Sequence, residues 1–551
     1  YEESGILCRI PNWWKNKSNS LRLTVNIGTK PPSLLGFDAL LDFDAHISVG
    51  DEKLTIGELK KLLAETEGLA FIKGKWVEIN HEKLKEALLA YEQAKKLIAG
   101  NDMTLLEAMR LQLNPAEMLG LENKAQVVEV TNGQWLNNVV ARLIRPDNLE
   151  AVTSGDNFNA SLRPYQEKGL AWLHYMKTLG LGACLADDMG LGKTIQVIAL
   201  LNYIRSRKKE KTLLVIPASL IGNWTDEINK FAPSLKYYIL HPSENDNQTI
   251  GGIQSTDIYE LFITTYGMLS RYEQLKEITW DTVILDEAQA IKNPGTKQSK
   301  AVRQLKAAFK IAMTGTPVEN RLSDLWSLFD FLNSGLLGTS REFTDFARKL
   351  KDDQSGYARL RKVVSPFILR RLKTDKSIIS DLPDKIEMKT YSLLTKKQAA
   401  LYDSLVEDIK VRLEAAEEGI ERKGLILSSI MKFKQICNHP DQYLGQALYS
   451  EDESGKYARL REICETIYEK RESVLVFTQF KEITRSLKDF LETVFFHEGL
   501  VLHGGTPVAK RREIVEKFQS SSEYFPFLVL SIKAGGVGLN LTNANHVIHF
   551  D

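Results

Sequence analysis

The stretch Asp187-Asp188-Met189-Gly190-Leu191-Gly192-Lys193-Thr194 decides how the chain is read. It lies between a short apolar run, Ala183–Ala186, and a helical stretch opened by Thr194-Ile195-Gln196. A strand, a glycine-bearing loop and a helix in that order form a phosphate cradle. Gly190 and Gly192 let backbone N–H groups approach an anion, and the helix N-terminus adds positive potential. Asp187 stands where the general G-x-x-x-x-G-K-[ST] pattern has its first glycine. The other parts remain: Lys193 is spaced to reach β- and γ-phosphates, and the Thr194 hydroxyl to bind Mg2+. Asp188, Met189 and Leu191 complete the loop around the phosphates.

Outward from this loop, short apolar runs alternate with helical stretches. Leu213–Ile216, Leu261–Thr264, Thr282–Leu285 and Ile311–Met313 are partly β-branched and too short for helices, so they predict buried parallel strands. Strands and helices in alternation imply an α/β domain with helices on both faces. Asp286-Glu287-Ala288-Gln289 follows one of these runs. A carboxylate at the C-terminal end of a strand faces the crevice where open α/β sheets bind ligands. Asp286 is therefore expected to hold Mg2+, and Glu287 to orient and deprotonate an attacking water. Taken alone, an Asp-Glu pair reads as a solvated turn; the phosphate loop upstream favours the catalytic reading.

Four regions follow from changes of texture: an α+β accessory domain at 1–150, a first α/β lobe at 151–340, a helical region at 341–454 and a second α/β lobe at 455–551. The polar, turn-rich stretch 148–160 marks the first boundary. Within 1–150, Thr55-x-x-Glu58 predicts a helix start. Phe71-Ile72 and Trp76–Ile79 predict a hairpin about Lys73-Gly74-Lys75. Asn80 is expected to cap a helix with Leu84, Ala87, Leu88, Tyr91 and Ala94 on one face. Trp13 and Trp14, with basic residues after them, fit a hydrophobic core better than a stacking platform. In the helical region, Thr395-x-x-Gln398 predicts a further start. Val474–Phe477, Gly499–Leu502 and Phe527–Leu530 predict the strands of the second lobe.

Composition limits the functions open to the chain. Of 551 residues, 43% are hydrophobic and 26% charged, which excludes wholesale disorder. With 72 basic against 71 acidic residues, net +1, a polybasic coat is excluded and any grip on nucleic acid must be a local patch. Cys8, Cys184, Cys437 and Cys464 form no C-x-x-C pair, so a disulfide or zinc framework is disfavoured and a reducing compartment fits. Cys437-x-His439 reads as a helix end before Pro440 rather than a metal site. No apolar run approaches the roughly 20 residues that span a bilayer. The start, Tyr1-Glu2-Glu3-Ser4, is neither a signal peptide nor an initiator methionine, so a fragment of a longer protein is expected.

These motifs, in their order, resemble the Swi/Snf family of helicase superfamily two over roughly residues 160–551. Leu162-Arg163-Pro164-Tyr165-Gln166-x-x-Gly169 resembles the adenine-side motif, Asp187–Thr194 motif I and Asp286–Gln289 motif II. Pro217-Ala218-Ser219-Leu220 with Asn223-Trp224 resembles motif Ia; Thr264-Thr265-Tyr266 is similar to the next DNA-facing motif, and Thr314-Gly315-Thr316-Pro317 to motif III. Phe367-Ile368-Leu369-Arg370-Arg371-x-Lys373 and Ile436-Cys437-Asn438-His439-Pro440 look like family-specific blocks. Val476–Phe480, His503–Thr506 and Ser531–Thr542 resemble motif IV, the loop after it and motif V. Residues 1–150 more weakly resemble an accessory domain ahead of bacterial members.

The resemblance implies an α/β fold of two RecA-like lobes with helical insertions between them, plus the α+β accessory domain. It implies a DNA-dependent ATPase that uses ATP and Mg2+ to translocate on double-stranded DNA and remodel DNA-bound protein complexes without strand separation. By carry-over, Gln166 reads the adenine beside Arg163, and Gly538 approaches the nucleotide from the second lobe. Gln289, Thr314, Gly315 and Thr316 couple hydrolysis to movement. Ser219, Thr264, Thr265, Lys533 and Thr542 hold DNA phosphates, contacts that carry no base information. Arg370 and Arg371 fit either packed surface residues or contacts to the opposite lobe. Gln289 replaces the His commonest at its position and can still hydrogen-bond. The chain ends at His549-Phe550-Asp551, where the family continues toward arginine-bearing motif VI, so slow hydrolysis by this chain alone is expected. A strand-separating helicase and an ATP-gated DNA scaffold are the alternatives; intact Lys193, Asp286 and Glu287 weigh against the scaffold. The expected location is cytoplasmic and nucleoid-associated in a bacterium, or nuclear in a eukaryote.

Overall fold

A computed structural model describes residues 21–33, 36, 38–49, 52–64, 68–72, 75–79, 81–98, 103–119, 128–241, 258–315, 322–350, 354–375, 386–415, 419–446, 448–520, 523–535, 539 and 541–551. Two compact units divide the chain, Tyr1–Leu382 and Pro383–Asp551. The division falls inside the helical stretch. Helices Ser340–Lys349 and Gln354–Val364 belong to the first unit, and Lys396–Ala415 and Ile420–Asn438 to the second.

The N-terminal strands are β1 (Leu21–Ile27), β2 (Leu40–Leu41), β3 (Phe43–Val49), β4 (Glu52–Leu54), β5 (Gly68–Ile72), β6 (Lys75–Ile79), β7 (Met103–Thr104) and β8 (Val128–Asn132). A mixed sheet runs β4-β3-β1-β8, with β1 antiparallel to β3 and parallel to β8. Alternation puts Leu23, Val25 and Ile27 on its buried face. The helix His81–Ile98 covers β1 and β3 with Leu84, Ala87, Ala90 and Ala94. The Thr55–Glu58 capping box forms as expected: Thr55 N donates to Glu58 Oε2 at 2.6 Å, and Glu58 N to Thr55 Oγ1 at 3.3 Å. β5 and β6 pair with Phe71 opposite Trp76. Trp13, Trp14, Lys73, Gly74 and Asn80 lie outside the described residues.

This region is packed onto the lobe that follows. The buried Trp172 donates its indole N–H to Leu143 O at 3.0 Å. The turn-rich boundary is itself strapped down, with Asn202 Nδ2 donating to Ser154 O and Asp156 O at 2.9 and 3.0 Å.

The first lobe is a seven-stranded, all-parallel sheet. Its strands are β9 (Ala183–Leu185), β10 (Thr212–Ile216), β11 (Tyr237–Leu240), β12 (Leu261–Thr265), β13 (Thr279–Leu285), β14 (Lys306–Met313) and β15 (Ile368–Leu369), in the order β11-β12-β10-β13-β14-β9-β15. All five apolar runs expected here are strands. β11 and β15, which sequence texture missed, add one strand at each edge. The largest core cluster gathers Leu213, Val215, Phe262, Trp280, Val283 and Phe331.

β15 returns from 183 residues downstream of β9 and continues the sheet into the phosphate loop (Cys184 pairs with Ile368). Just beyond it, Arg371 lies against Asp187; the two are 6% and 0% exposed, so neither charge is solvated. Arg371 Nε donates to Asp187 Oδ1 at 2.8 Å, and Nη2 to Asp187 Oδ2 and, at 2.7 Å, to Gln196 Oε1. Nη1 donates to Tyr165 O. Arg371 is thus an interior residue of the first unit. Sequence left Arg371 open between a packed surface and the opposite lobe; every partner named here lies within its own unit, and its side chain is buried there.

The second unit, taken by itself, holds a four-stranded parallel sheet. β16 (Val474–Thr478), β17 (Leu500–Leu502), β18 (Phe527–Ser531) and β19 (His546–His549) run in the order β17-β18-β16-β19. Asp551 ties its end down, accepting from Thr478 Oγ1 and Gln479 N at 2.7 Å each.

Leaving Asp187 buried and unpaired costs about 3–5 kcal/mol, so Arg371→Ala should lower the stability of the first unit by that amount. The exposed Arg370→Ala should cost under about 0.5 kcal/mol. All eight tryptophans precede residue 383, so denaturant unfolding followed by tryptophan fluorescence reports this unit alone. Equal losses for the two variants would refute the buried-pair assignment.

Candidate nucleotide site

Register brings the motif loops to one edge. Leu285 pairs with Ala312, Met313 with Leu185, and Leu185 with Leu369, so these strands end nearly level. Because all are parallel, Asp286, Thr314, the phosphate loop and Arg371 leave the sheet on the same side, at the C-terminal edge.

The loop has the backbone its glycines permit. Gly190 and Gly192 have φ of +80° and +74°, a region that side chains disfavour. A Cβ on Gly192 would sit 2.5 Å from Gln166 Nε2. Gln166 is buried and spans two elements: Oε1 accepts from Arg163 N at 2.9 Å, and Nε2 donates to Leu191 O at 3.2 Å. Its amide therefore fixes the loop against the start of the helix Pro164–Thr178. Lys193, first residue of the helix Lys193–Arg205, donates Nζ to Asp187 O at 2.8 Å. Burial pushes its pKa down, opposed by the charges of Asp286, Glu287, Asp187 and Asp188. Thr194 is half-buried, while Met189 is exposed.

Asp286 is held from both sides. Trp224, buried on the helix Ile221–Phe231, donates its indole N–H to Oδ2 at 2.8 Å; Glu287 N donates to Oδ1 at 2.9 Å. Burial raises the Asp286 pKa to about 6, with the Glu287 charge adding to the rise and the Trp224 hydrogen bond opposing it. Glu227, one turn beyond Trp224, is pushed up to about 7 by burial first and the Asp286 charge second.

Glu287 adopts φ +50°, ψ +53°, a left-handed conformation uncommon for its type, and precedes the 3-10 turn Ala288–Ile291. The side chains beyond it form a line. Thr314 Oγ1 donates to Gln289 Oε1 at 3.1 Å, and Gln289 Nε2 donates to Glu287 Oε2 at 2.5 Å. Gly315 is buried beside Met189, and Thr316 lies outside the described residues.

The other candidates are dispersed. Ser219 is half-buried in the 3-10 turn Ala218–Leu220 after β10. Thr264 is fully buried and its hydroxyl donates to Leu240 O at 3.2 Å, so as folded it presents no group to a DNA backbone. Thr265 spends its hydroxyl as an N-cap, accepting from Met268 N at 3.2 Å. In the second unit Lys533 and Thr542 are exposed, while Gly538 lies outside the described residues. Both His439 nitrogens are taken: Nε2 by Ser450 O at 2.8 Å, and Nδ1 by Asp441 N at 3.1 Å, at the break between helices Ile420–Asn438 and Pro440–Leu444. Among the described residues no cluster of His, Cys, Asp or Glu is grouped to hold a metal ion, and no helix is long and apolar enough to cross a membrane.

A parallel sheet that places a glycine-bearing Gly-Lys-Thr loop, a buried Asp286 followed by a half-buried Glu287, and Thr314 at one edge is a lobe of the helicase superfamily-two type. The SNF2-related domain family matches residues 165–442, the helicase conserved C-terminal domain 455–551, and a family described as SNF2 helicase protein 1–113. The chain belongs to the SNF2-related family, a Swi/Snf-type branch of that superfamily. It is 36% identical to the putative ATP-dependent helicase/translocase YwqA of Bacillus subtilis, covering 100% of this chain and 61% of that protein. It is 33% identical to the ISWI chromatin-remodeling complex ATPase ISW2 of Saccharomyces cerevisiae over 71% of this chain and 36% of that one. A Sulfolobus solfataricus SWI2/SNF2 ATPase core in complex with dsDNA matches at 42% identity and TM-score 0.43, over 73% of this chain and 84% of that one. The chain thus spans less than two thirds of these two full-length relatives.

Sequence reasoning missed the partners of two site carboxylates. An acid replacing a loop glycine directly after a buried strand calls for a buried cation, but nothing local says which cation, and the pairing of β15 with β9 is what brings Arg371 there. Trp224 reads in sequence only as part of a motif; nothing local points its indole at Asp286.

A carboxyl group ligates a cation well only when ionised, and one raised to about 6 is mostly ionised only above that pH. At subsaturating Mg2+, metal-dependent binding of a fluorescent ATP analogue should therefore fall as pH drops through about 6. Trp224→Phe removes the hydrogen bond that opposes the rise, so its half-loss should move to higher pH. An unmoved half-loss would remove Trp224 from the control of Asp286.

Proposed function

We propose that the chain is the motor core of a DNA-dependent ATPase that moves along double-stranded DNA and remodels DNA-bound protein complexes. The observation that carries this reading is the assembly of Lys193, Asp286 and Glu287 at one sheet edge, with Glu287 wired through Gln289 to Thr314. A nucleotide-gated scaffold has no use for such a base, whereas a motor must hydrolyse and sense that it has done so.

In this reading Gly190, Gly192 and the N-terminus of the helix Lys193–Arg205 receive the phosphates, and Lys193 leaves Asp187 O to meet them. Asp286 suits a hard cation, being a carboxylate whose protein partners are neutral N–H donors, with the Thr194 hydroxyl as the second donor. Bound there, Mg2+ would neutralise charge on the phosphates. Glu287 orients and deprotonates the attacking water. The left-handed backbone at Glu287 fixes the direction of its carboxylate, and Gln289 holds one oxygen, leaving the other for water. Loss of the terminal phosphate is felt at Thr314 and passes along the same hydrogen bonds.

DNA contacts are assigned to Ser219 and the backbone near Thr265 in the first unit, and to Lys533 and Thr542 in the second. They address phosphates, so movement is independent of sequence. The chromatin-remodeling complex ATPase among the relatives supports a motor that acts on DNA-bound protein.

Steady-state ATPase without nucleic acid and with duplex DNA, single-stranded DNA or RNA tests the proposal. Duplex should give the largest stimulation, and Glu287→Gln should cut the rate by at least about a hundredfold while ATP binding persists. Greater stimulation by single strands would favour a strand-separating helicase. Nucleotide binding with no stimulated turnover, also in a chain extended beyond Asp551, would favour a scaffold.

A further inference from the structure

The phosphate loop has a second lysine that the mechanism above does not use. Lys373 follows Arg371 by two residues, on the segment leaving β15. That segment is laid along the loop by hydrogen bonds in step. Ala186 N donates to Leu369 O at 2.7 Å, and Asp188 N to Arg371 O at 3.1 Å. Lys373 N donates to Asp188 Oδ2 at 3.0 Å. The side chain then turns back over the loop. A Cβ added to Gly190 would lie 2.8 Å from Lys373 Nζ and 3.3 Å from its Cε.

An exposed lysine ordinarily extends into water, because holding it in one place costs rotamer entropy. Here the backbone is anchored by a loop acid, and the ammonium rests above the glycine whose absent side chain opens the loop to anions. No acidic side chain among the described residues forms an ion pair with it. The two loop acids are engaged otherwise: Asp187 takes the Arg371 guanidinium, and Asp188 accepts the Lys373 N–H. Lys193 is the one other ammonium on the loop, and it rests on Asp187 O.

We propose that Lys373 is a second phosphate-contacting residue, closing its ammonium on the phosphate tail of a bound nucleoside triphosphate from the side of Gly190. The inference rests on residues 187–194 binding ATP. It adds a cation from outside the loop, 180 residues away in sequence, and explains why the segment after β15 is registered to the loop residue by residue.

Fluorescent ATP and ADP analogues titrated into the whole chain at two salt concentrations test it. Lys373→Ala should weaken ATP binding about tenfold, the loss expected for one charge-assisted contact. It should also flatten the salt dependence, with Lys373→Arg restoring most of the affinity and the thermal midpoint without nucleotide unchanged. Wild-type affinity and salt dependence in Lys373→Ala would overturn the proposal. So would a loss that Lys373→Arg shares and that comes with a lower thermal midpoint, the mark of a merely structural role. A folded wild-type chain that binds no ATP would defeat the functional reading itself, an outcome visible before any variant is compared.

Discussion

The ion pair between Arg371 and Asp187 is the constraint on which the site depends. Asp187 occupies the position where phosphate loops commonly have glycine, at the end of a buried strand, with no water to solvate it. A carboxylate there cannot stay charged without a partner. Arg371 supplies that partner and also reaches Tyr165 O and Gln196. One guanidinium thus joins the phosphate loop, the helix after it and the helix that carries Gln166. A glycine would leave the loop freer and β15 tied down by backbone hydrogen bonds alone. The substitution exchanges loop flexibility for a covalently distant brace.

The brace bears on function because it sets where everything else on this edge can sit. The hydrogen-bonded rows of β13, β14, β9 and β15 end together, and the residues leaving them are linked sideways as well as along the chain. Trp224 reaches Asp286 from the helix that begins after Ser219. Thr314 reaches Glu287 through Gln289. A group expected to face DNA and one expected to face the terminal phosphate are therefore each linked to the Asp286-Glu287 pair. The left-handed backbone at Glu287 belongs to the same arrangement: strain of that kind persists where surrounding contacts over-determine it, and here the carboxylates of Asp286 and Glu287 are both hydrogen-bonded.

Much of this was legible in the sequence. Short β-branched runs bounded by loop residues fix parallel strands almost by themselves, since a buried strand needs no alternation, and every such run in both lobes is a strand. The loop Asp187–Thr194 and the pair Asp286-Glu287 are local patterns tied to strand ends, so they fall where spacing puts them. β15 was not legible: two residues cannot show a period, and its pairing with β9 bridges an interval on which local sequence carries no information. The same holds for Arg371, whose partner is set by that pairing. Thr264 entered through the family resemblance alone; local sequence does not show that its buried hydroxyl donates to Leu240 O.

The electrostatics of the edge show why so much bracing is needed. Burial pushes Asp286 to about 6 and Glu227 to about 7, and pushes the Lys193 pKa down. For the carboxylates, a folded-state value above the unfolded one means that the folded state holds the proton more tightly. Stability contributed by the protonated form is then lost as pH rises from the ordinary carboxylate range through these raised values. For the buried Asp286, the rise to about 6 corresponds to roughly 3 kcal/mol, an order-of-magnitude penalty at neutral pH. Lys193 carries a penalty of the same kind, since its folded state resists the proton that an unfolded lysine would keep. The cost at this edge therefore lies in groups that a cation and a polyphosphate would satisfy. Ligands that restore the charged forms recover that free energy on binding, and by linkage they stabilise the same unit whose buried ion pair made the loop possible.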